Sequence, residues 1–260
     1  MKNTESQNWY NLPVYYDVSF SHEMRDELLF LKKICQSYRY RGKLRLLEPA
    51  CGTGRLLLPL AKEGFDCTGL DINPHSLRYL RDKLQRQGLH ARVIQADMCD
   101  FRTRQRFDIA FCTVDTFRHL ITEQQALAHL QCMAKALKPA GIYVLGLHLL
   151  TDVEIKSRVI RWKNSRGRLT VKTTMSLVKL DRKKRRETLK VVLQPVTNVI
   201  KEKHVSEYDL RTYTLKQFNH LLAKSGQFRI ITAYDEYYDL ENPLQLTDRS
   251  EYAVFILQKI

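Results

Sequence analysis

Between residues 44 and 149 short apolar runs alternate with segments of helical period, and no other feature restricts the fold as much. LRLLEP (44–49) is followed by RLLLPLAKEG (55–64), and FDCTGLDI (65–72) by a helix that Asn73 caps, Pro74 opens and Gly88 closes. RVIQAD (92–97) and FDIAFCT (107–113) extend the series. Thr122 and Gln125 then form a capping-box pattern for a helix reaching Leu137, and KPAG (138–141) is predicted as a turn into IYVLGLHL. Five strands alternating with helices imply a mostly parallel sheet covered on both faces.

The pattern breaks after about residue 150. Segments 156–163, 168–180, 187–199 and 203–213 are rich in Val, Thr and Ile, with NSRG and DRKKRR as turns, so they read as antiparallel strands inserted into the alternating fold. Thr214 and Gln217 open another capped helix, ended by Gly226, and FRIITAY and EYAVFILQ supply two last strands. Upstream, residues 21–38 space Met24, Leu28, Leu31 and Cys35 as an amphipathic helix with Ser21 as its expected cap. The expected organisation is an N-terminal lid and helix (1–42), a doubly wound α/β core with a mostly parallel seven-stranded sheet (43–150 and 214–260), and a β insertion (151–213).

The turn after the first strand reads PACGTGR. Glycine is scarce, 10 in 260 residues, yet Gly52 and Gly54 stand two apart here. A ligand that must reach the backbone amides would explain them, and so would a tight turn. In an open parallel sheet the ligand crevice lies beyond the carboxyl ends of the strands, where the winding reverses, so the position suits a ligand. Asp71 ends the second strand 17 residues beyond Gly54, where a carboxylate can accept both hydroxyls of a ribose. A dinucleotide turn would carry a third glycine, but Arg55, Leu56 and Leu57 follow Gly54, and GxxxxGK[ST] is absent. These features point to an adenosine-containing ligand without a pyrophosphate.

The order ExACGTGR, GLDIN, QADM, FDIAFCT, LKPAG resembles the motif set of class I S-adenosylmethionine-dependent methyltransferases, over residues 44–149 and again 214–260. The resemblance implies a Rossmann-like sheet whose last strand is antiparallel, and S-adenosyl-L-methionine as cofactor. It places Glu48, Ala50, Gly52 and Gly54 around the methionine portion, with Ala50 standing where many members have glycine. Asp71 would hold the ribose, Ile72 would pack on adenine, Asp97 would accept from the adenine amino group beside Met98, and Thr113 and Val114 would approach the sulfonium. WYNLPVYYD resembles an aromatic lid and adds Tyr16 to the cofactor side, although Tyr15 and Tyr16 also suit plain packing.

Such a transfer is an in-line displacement, for which the protein chiefly aligns the reactants in a dry site. VDTFRHL (114–120) follows the fourth strand, where acceptors enter this fold, which makes Asp115, Arg118 and His119 the catalytic candidates. No [ND]PP[YF] motif follows that strand, and Cys112 lacks the Pro-Cys context of a 5-methylcytosine enzyme. An antiparallel insertion resembles that of N-methyltransferases acting on amino sugars and small amines, where it serves as a substrate roof or subunit interface. A small-molecule amine or hydroxyl is the expected acceptor, with a homodimer through the insertion.

Charge supports a competing expectation. Residues 151–203 hold 16 Lys and Arg against 5 Asp and Glu, so +11 of the net +15 lies there. An RNA- or ribosome-directed enzyme would use residues 156–190 to grip phosphates. Trp162 is the sole aromatic in 151–203, however, which is thin for base stacking. A non-catalytic cofactor-binding subunit that holds a partner protein is the third reading. Six scattered cysteines without a CxxC pair suggest reduced thiols and a cytoplasmic protein, and no stretch reads as a signal peptide, membrane span or metal site.

Overall fold

The computed structural model describes residues 8–21, 25–37, 43–152, 159–199 and 202–260. Asn8 caps a single 3-10 turn (Trp9–Asn11), and α1 (Pro13–Ser19) follows. The core then runs α2 (Arg25–Ser37), β1 (Arg45–Pro49), α3 (Leu57–Lys62), β2 (Asp66–Asp71), α4 (Pro74–Arg86), β3 (Arg92–Gln95), β4 (Phe107–Cys112), α5 (Glu123–Ala136) and β5 (Leu137–His148). The insertion is β6 (Val159–Arg166), β7 (Leu169–Asp181), β8 (Arg186–Val196) and β9 (His204–Arg211), after which α6 (Leu215–Ser225), β10 (Phe228–Tyr234) and β11 (Tyr252–Lys259) complete the core.

Seven strands form one sheet in the order β3-β2-β1-β4-β5-β11-β10. β1 to β5 are parallel, and β11 runs antiparallel to both β5 and β10. The winding reverses between β1 and β4, which opens a crevice beyond their carboxyl ends. Both faces are covered. Phe117, Leu130, Met133, Phe218 and Phe255 pack on one side, and Phe30, Leu31, Leu57, Leu77 and Leu80 on the other. β4 is buried at all six positions, so its sequence is apolar except at Asp108, whose carboxylate pairs with Lys138 and accepts from Arg45 N.

The caps form as the sequence indicates. Asn73 accepts from the amides of His75 and Ser76, both capping boxes close at Thr122 and Thr214, and Gly226 ends α6 in the left-handed region. Two details differ. KPAG is a bulge inside a longer β5: Phe107 pairs with Leu137 and Ile109 with Ile142, while Ala140 takes φ 57° and a Cβ on Gly141 would meet the Lys138 carbonyl at 2.9 Å. Ser21 is not seen as a helix cap: its Oγ donates to the Val18 carbonyl, and residues 22–24 lie outside the described residues.

The insertion is a second sheet, antiparallel, ordered β6-β7-β8-β9. Its inner face shares a small core with the N-terminal segment through Trp9, Val18, Val171, Val191 and Leu193. Trp162 donates from Nε1 to the Ser19 carbonyl, so the aromatic of the basic stretch serves this docking. All six cysteines are free thiols.

Candidate functional site

A cleft of about 340 Å³ lies at the winding reversal and is lined by residues from three regions of the chain. One wall comes from the ends of β1, β2 and β3 and includes Ala50, Gly52, Asp71, Ile72, Asp97 and Met98. The opposite wall comes from the loop after β4, with Val114, Thr116 and His119, and is closed by Tyr10 and Tyr16.

The first wall is held by the backbone. Asp71 accepts from Gly52 N at 2.8 Å through Oδ2 and from Asn73 N at 2.7 Å through Oδ1. A carboxylate offers about four acceptor sites, so two amides leave room for two further donors. Burial raises its pKa, against the lowering effect of those amides. Ile72 beside it is 66% exposed, an apolar platform at the cleft rim rather than a core residue. Asp97 accepts from Cys99 N at 2.8 Å, which fixes the turn that presents Met98. The Met98 carbonyl in turn accepts from Nδ1 of buried His129, whose Nε2 accepts from the Tyr143 hydroxyl at 2.7 Å.

The two glycines perform different tasks. Gly52, at φ 51°, lines the cleft, and a Cβ there would stand 4.0 Å from Asp71 Oδ2. Gly54, at φ 75°, turns away from the cleft: a Cβ would lie 2.3 Å from Leu80 Cδ1, so its bare backbone lets α4 pack on the turn. Ala50 adopts φ 52° and Val114 and Asp115 adopt 57° and 65°. Three non-glycine residues in the left-handed region at two adjacent strand ends mark stored strain at the site.

Glu48, Thr113 and Gly54 sit behind the cleft lining. Burial pushes the Glu48 carboxyl well up, only partly offset by Arg55, and its Oε2 has no hydrogen-bond partner among the described residues. Thr113 Oγ1 donates to Glu27, which also pairs with the Arg55 guanidinium through both its oxygens. Glu27 is not among the residues that the sequence motifs single out. A signal for it exists all the same: Glu27, Leu31 and Ile34 share one buried face of α2, an acid among apolar positions.

Of the three catalytic candidates, His119 alone lines the cleft. Its Nε2 lies 2.9 Å from the Tyr10 hydroxyl and its ring stacks on Tyr208 at 5.4 Å. Burial pushes its pKa down to about 4, with Asp115 opposing and Arg118 adding to the fall, so the imidazole is neutral at physiological pH. Asp115, half-buried, and Arg118, buried, form a strut instead. Asp115 binds His148 at N (2.8 Å) and Nδ1 (2.7 Å), and Arg118 at 3.1 Å. Burial would raise the Asp115 carboxyl, but Arg118 and His148 hold it well below the usual range. Arg118 continues to Glu187 of β8 at 2.6 Å and donates to the Arg211 carbonyl, which bolts the insertion to this loop.

The N-terminal segment is fastened over the cleft at both ends. Asn73 Nδ2 and Ser76 Oγ donate to the Tyr10 carbonyl. Asp17 of α1 accepts from Lys83, Tyr79 and Arg166, and the two cations Lys83 and Arg166 keep it ionised below its ordinary pKa despite burial. Tyr16 faces the cleft with its pKa raised to about 12 by burial, whereas Tyr15 points to Glu202 at 3.5 Å.

Residues 46–141 match the model of a methyltransferase domain. Over that segment the chain is similar to a methyltransferase domain. It is 26% identical over 141 residues to the ubiquinone biosynthesis O-methyltransferase of Rickettsia prowazekii, covering 54% of each chain. Over 100 residues it is 33% identical to dTDP-3-amino-3,4,6-trideoxy-alpha-D-glucopyranose N,N-dimethyltransferase of Streptomyces venezuelae, 38% of this chain and 40% of that protein. The chain spans about half the length of the curated relatives it matches first. An S-adenosylmethionine-dependent methyltransferase from Clostridium acetobutylicum has the same fold, with a TM-score of 0.77 at 18% identity over 96% of this chain and 99% of that one. That structural likeness extends through the insertion as well as the domain. No described helix is long and apolar enough to cross a membrane, and the described residues contain no metal-ligating cluster.

Proposed function

We propose that this protein transfers a methyl group from S-adenosyl-L-methionine to a small-molecule acceptor bearing an amine or hydroxyl. The observation that carries the reading is the first wall of the cleft, where an exposed apolar platform at Ile72 adjoins a carboxylate with acceptor capacity to spare at Asp71. The residues fit the cofactor: Asp71 would take the ribose, Ile72 and Met98 the adenine, Asp97 its amino group, and Ala50 and Gly52 the methionine chain. A cationic ammonium near Glu48, whose Oε2 has no partner among the described residues, would draw that acid back to its charged form. Bound there, the cofactor supplies a methyl already activated by its sulfonium.

The chain's own task is then alignment, desolvation and proton handling. An attacking amine must be neutral, and His119, itself neutral, offers a ring nitrogen in contact with the Tyr10 hydroxyl on the acceptor side. Asp115 and Arg118 act as positioning residues that hold the loop carrying His119. Tyr10 and Tyr16 stand over the acceptor side of the cleft and limit its room, which supports a small acceptor. Part of the basic charge is engaged within the fold, Arg166 on Asp17, Arg182 on the Thr151 carbonyl and Lys190 near Glu207, which weakens the RNA-directed reading. β6 at the sheet edge, with Val159 and Ile160 exposed, is the candidate subunit interface, and the free thiols favour the cytoplasm.

The test is to incubate the protein with methyl-labelled S-adenosylmethionine and a cell extract, then fractionate the label. Label among small metabolites supports the reading. Label in RNA would replace it with the nucleic-acid alternative, and no label with intact cofactor binding would favour a non-catalytic subunit.

A further inference from the structure

A second cluster of unusual groups lies outside the cleft, where the turn between β7 and β8 meets the start of α5 and the end of α6. Arg185 closes that turn at φ 54°, a strained conformation for a residue with a side chain. Its guanidinium and that of Arg211 lie against the buried ring of Tyr213, 5.2 and 5.6 Å from the centroid. The pair is electrostatically unfavourable: burial and then the neighbouring Arg211 lower the Arg185 pKa. Glu123 faces both arginines, but at 4.0 and 3.8 Å, while it sits 2.7 Å from Lys224. Arg185 Nε, Arg211 Nε and Thr212 Oγ1 are buried without a hydrogen-bond partner among the described residues. Three cations therefore converge on a single, partly exposed carboxylate that only Lys224 approaches closely.

We propose that this cluster is an oxyanion site for a phosphate or pyrophosphate group. With Arg211 Nη1 held by the Ile121 carbonyl, the outer nitrogens of Arg185 and Nη2 of Arg211 suit phosphoryl oxygens, and Lys224 adds a point charge once Glu123 gives way. The site is linked to the cleft wall through Ile121. Arg211 donates to the Ile121 carbonyl at 2.8 Å, and the neighbouring Leu120, together with Gln125 of α5, lines the cleft. The anion is accordingly assigned to a phosphorylated methyl acceptor. That assignment rests on the function proposed above, whereas binding of the anion does not. A nucleic-acid strand is disfavoured because Tyr213 is fully buried and offers no face for a base.

The experiment is calorimetric titration of inorganic pyrophosphate into the purified full chain, using the unaltered protein, Arg185→Gln and Glu123→Gln. Arg185→Gln is expected to weaken binding by about tenfold or more, the loss of charge-assisted hydrogen bonds. Glu123→Gln removes the competing carboxylate and is expected to tighten it several-fold. S-Adenosylmethionine titrated into both variants should bind as before, which separates loss of the site from loss of the fold. Equal affinity in the unaltered protein and Arg185→Gln, or weakening in Glu123→Gln, overturns the site. Pyrophosphate that binds without slowing label transfer overturns the acceptor assignment alone. A short RNA that binds more tightly than pyrophosphate, with that binding lost in Arg185→Gln, overturns the small-anion reading.

Discussion

The two walls of the cleft are built on different scales. On the cofactor side Asp71 reaches Gly52 and Asn73, 19 and 2 residues away, and both contacts are with backbone amides. Across the cleft, His119 meets Tyr10 from 109 residues away, and Arg118 meets the Arg211 carbonyl from 93. The first wall depends on where a strand ends and a turn begins, so it is set by backbone conformation over a few residues, Gly52 and Gly54 among them. The second depends on side chains from three regions arriving together, held by ion pairs in a buried setting. A change in the local, backbone-held wall should cost only its own strain or collision, whereas the long-range wall should fail cooperatively when its strut is cut.

Replacing Arg118 is the most severe way to break that contrast. Arg118→Met leaves Asp115 and Glu187 without their shared cation in a buried site, and a loss of about 3–5 kcal/mol in chemical denaturation is expected. A loss below about 1 kcal/mol would show that water reaches the strut.

Next comes a pH effect. His129 is buried on two hydrogen bonds, and burial pushes its pKa down to about 4 from 6.5. The unfolded chain binds the proton first, so this group's stabilisation is complete above about pH 6.5 and is lost as pH falls toward 4, on the order of 3 kcal/mol. Raised carboxyls such as Glu48 act with the opposite sign, so the readout is a difference. His129→Gln should flatten the fall in stability between pH 6.5 and 4 relative to the unaltered protein, and parallel curves would refute the assignment.

The glycine pair sharpens the comparison within the first wall. Gly54→Ala drives a methyl into Leu80 at a left-handed backbone position, with a cost of about 2–3 kcal/mol. Gly52→Ala meets no such collision and should cost about 1–2 kcal/mol, from backbone strain. Equal losses by urea denaturation would mean that the turn responds to φ alone. The smallest effect is a gain: Ala50→Gly relieves a φ of 52° and should stabilise by about 0.5–1 kcal/mol, measured the same way. Destabilisation there would show that the alanine methyl makes a contact worth more than the strain.

The same difference in scale explains which features are legible in the amino-acid sequence. Asn73, Pro74, Thr122, Gln125, Thr214 and Gln217 announce their helices because capping is a contact over two or three residues. The mostly parallel sheet and the placement of Asp71, Ile72 and Asp97 follow from alternation and from the strand ends, whereas the strand order is a matter of long-range pairing. KPAG is legible as a break but not as a bulge, since its pairing depends on β4 across the sheet. Among the catalytic candidates, spacing alone does not tell that His119 faces the cleft while Asp115 and Arg118 face His148 and Glu187. Tyr10 and Tyr208 carry no local signal for meeting His119, because their partner is set by how the insertion docks. Glu27 is the exception, a charged residue on an apolar helix face.

Calorimetric titration of S-adenosylmethionine into the unaltered protein and Asp71→Ala tests most directly whether this cleft holds the cofactor. Saturable binding that weakens by about 1–3 kcal/mol in the variant is expected, from the loss of charged hydrogen bonds. Binding of unchanged strength in Asp71→Ala, or none to the unaltered protein at saturating concentration, would contradict it.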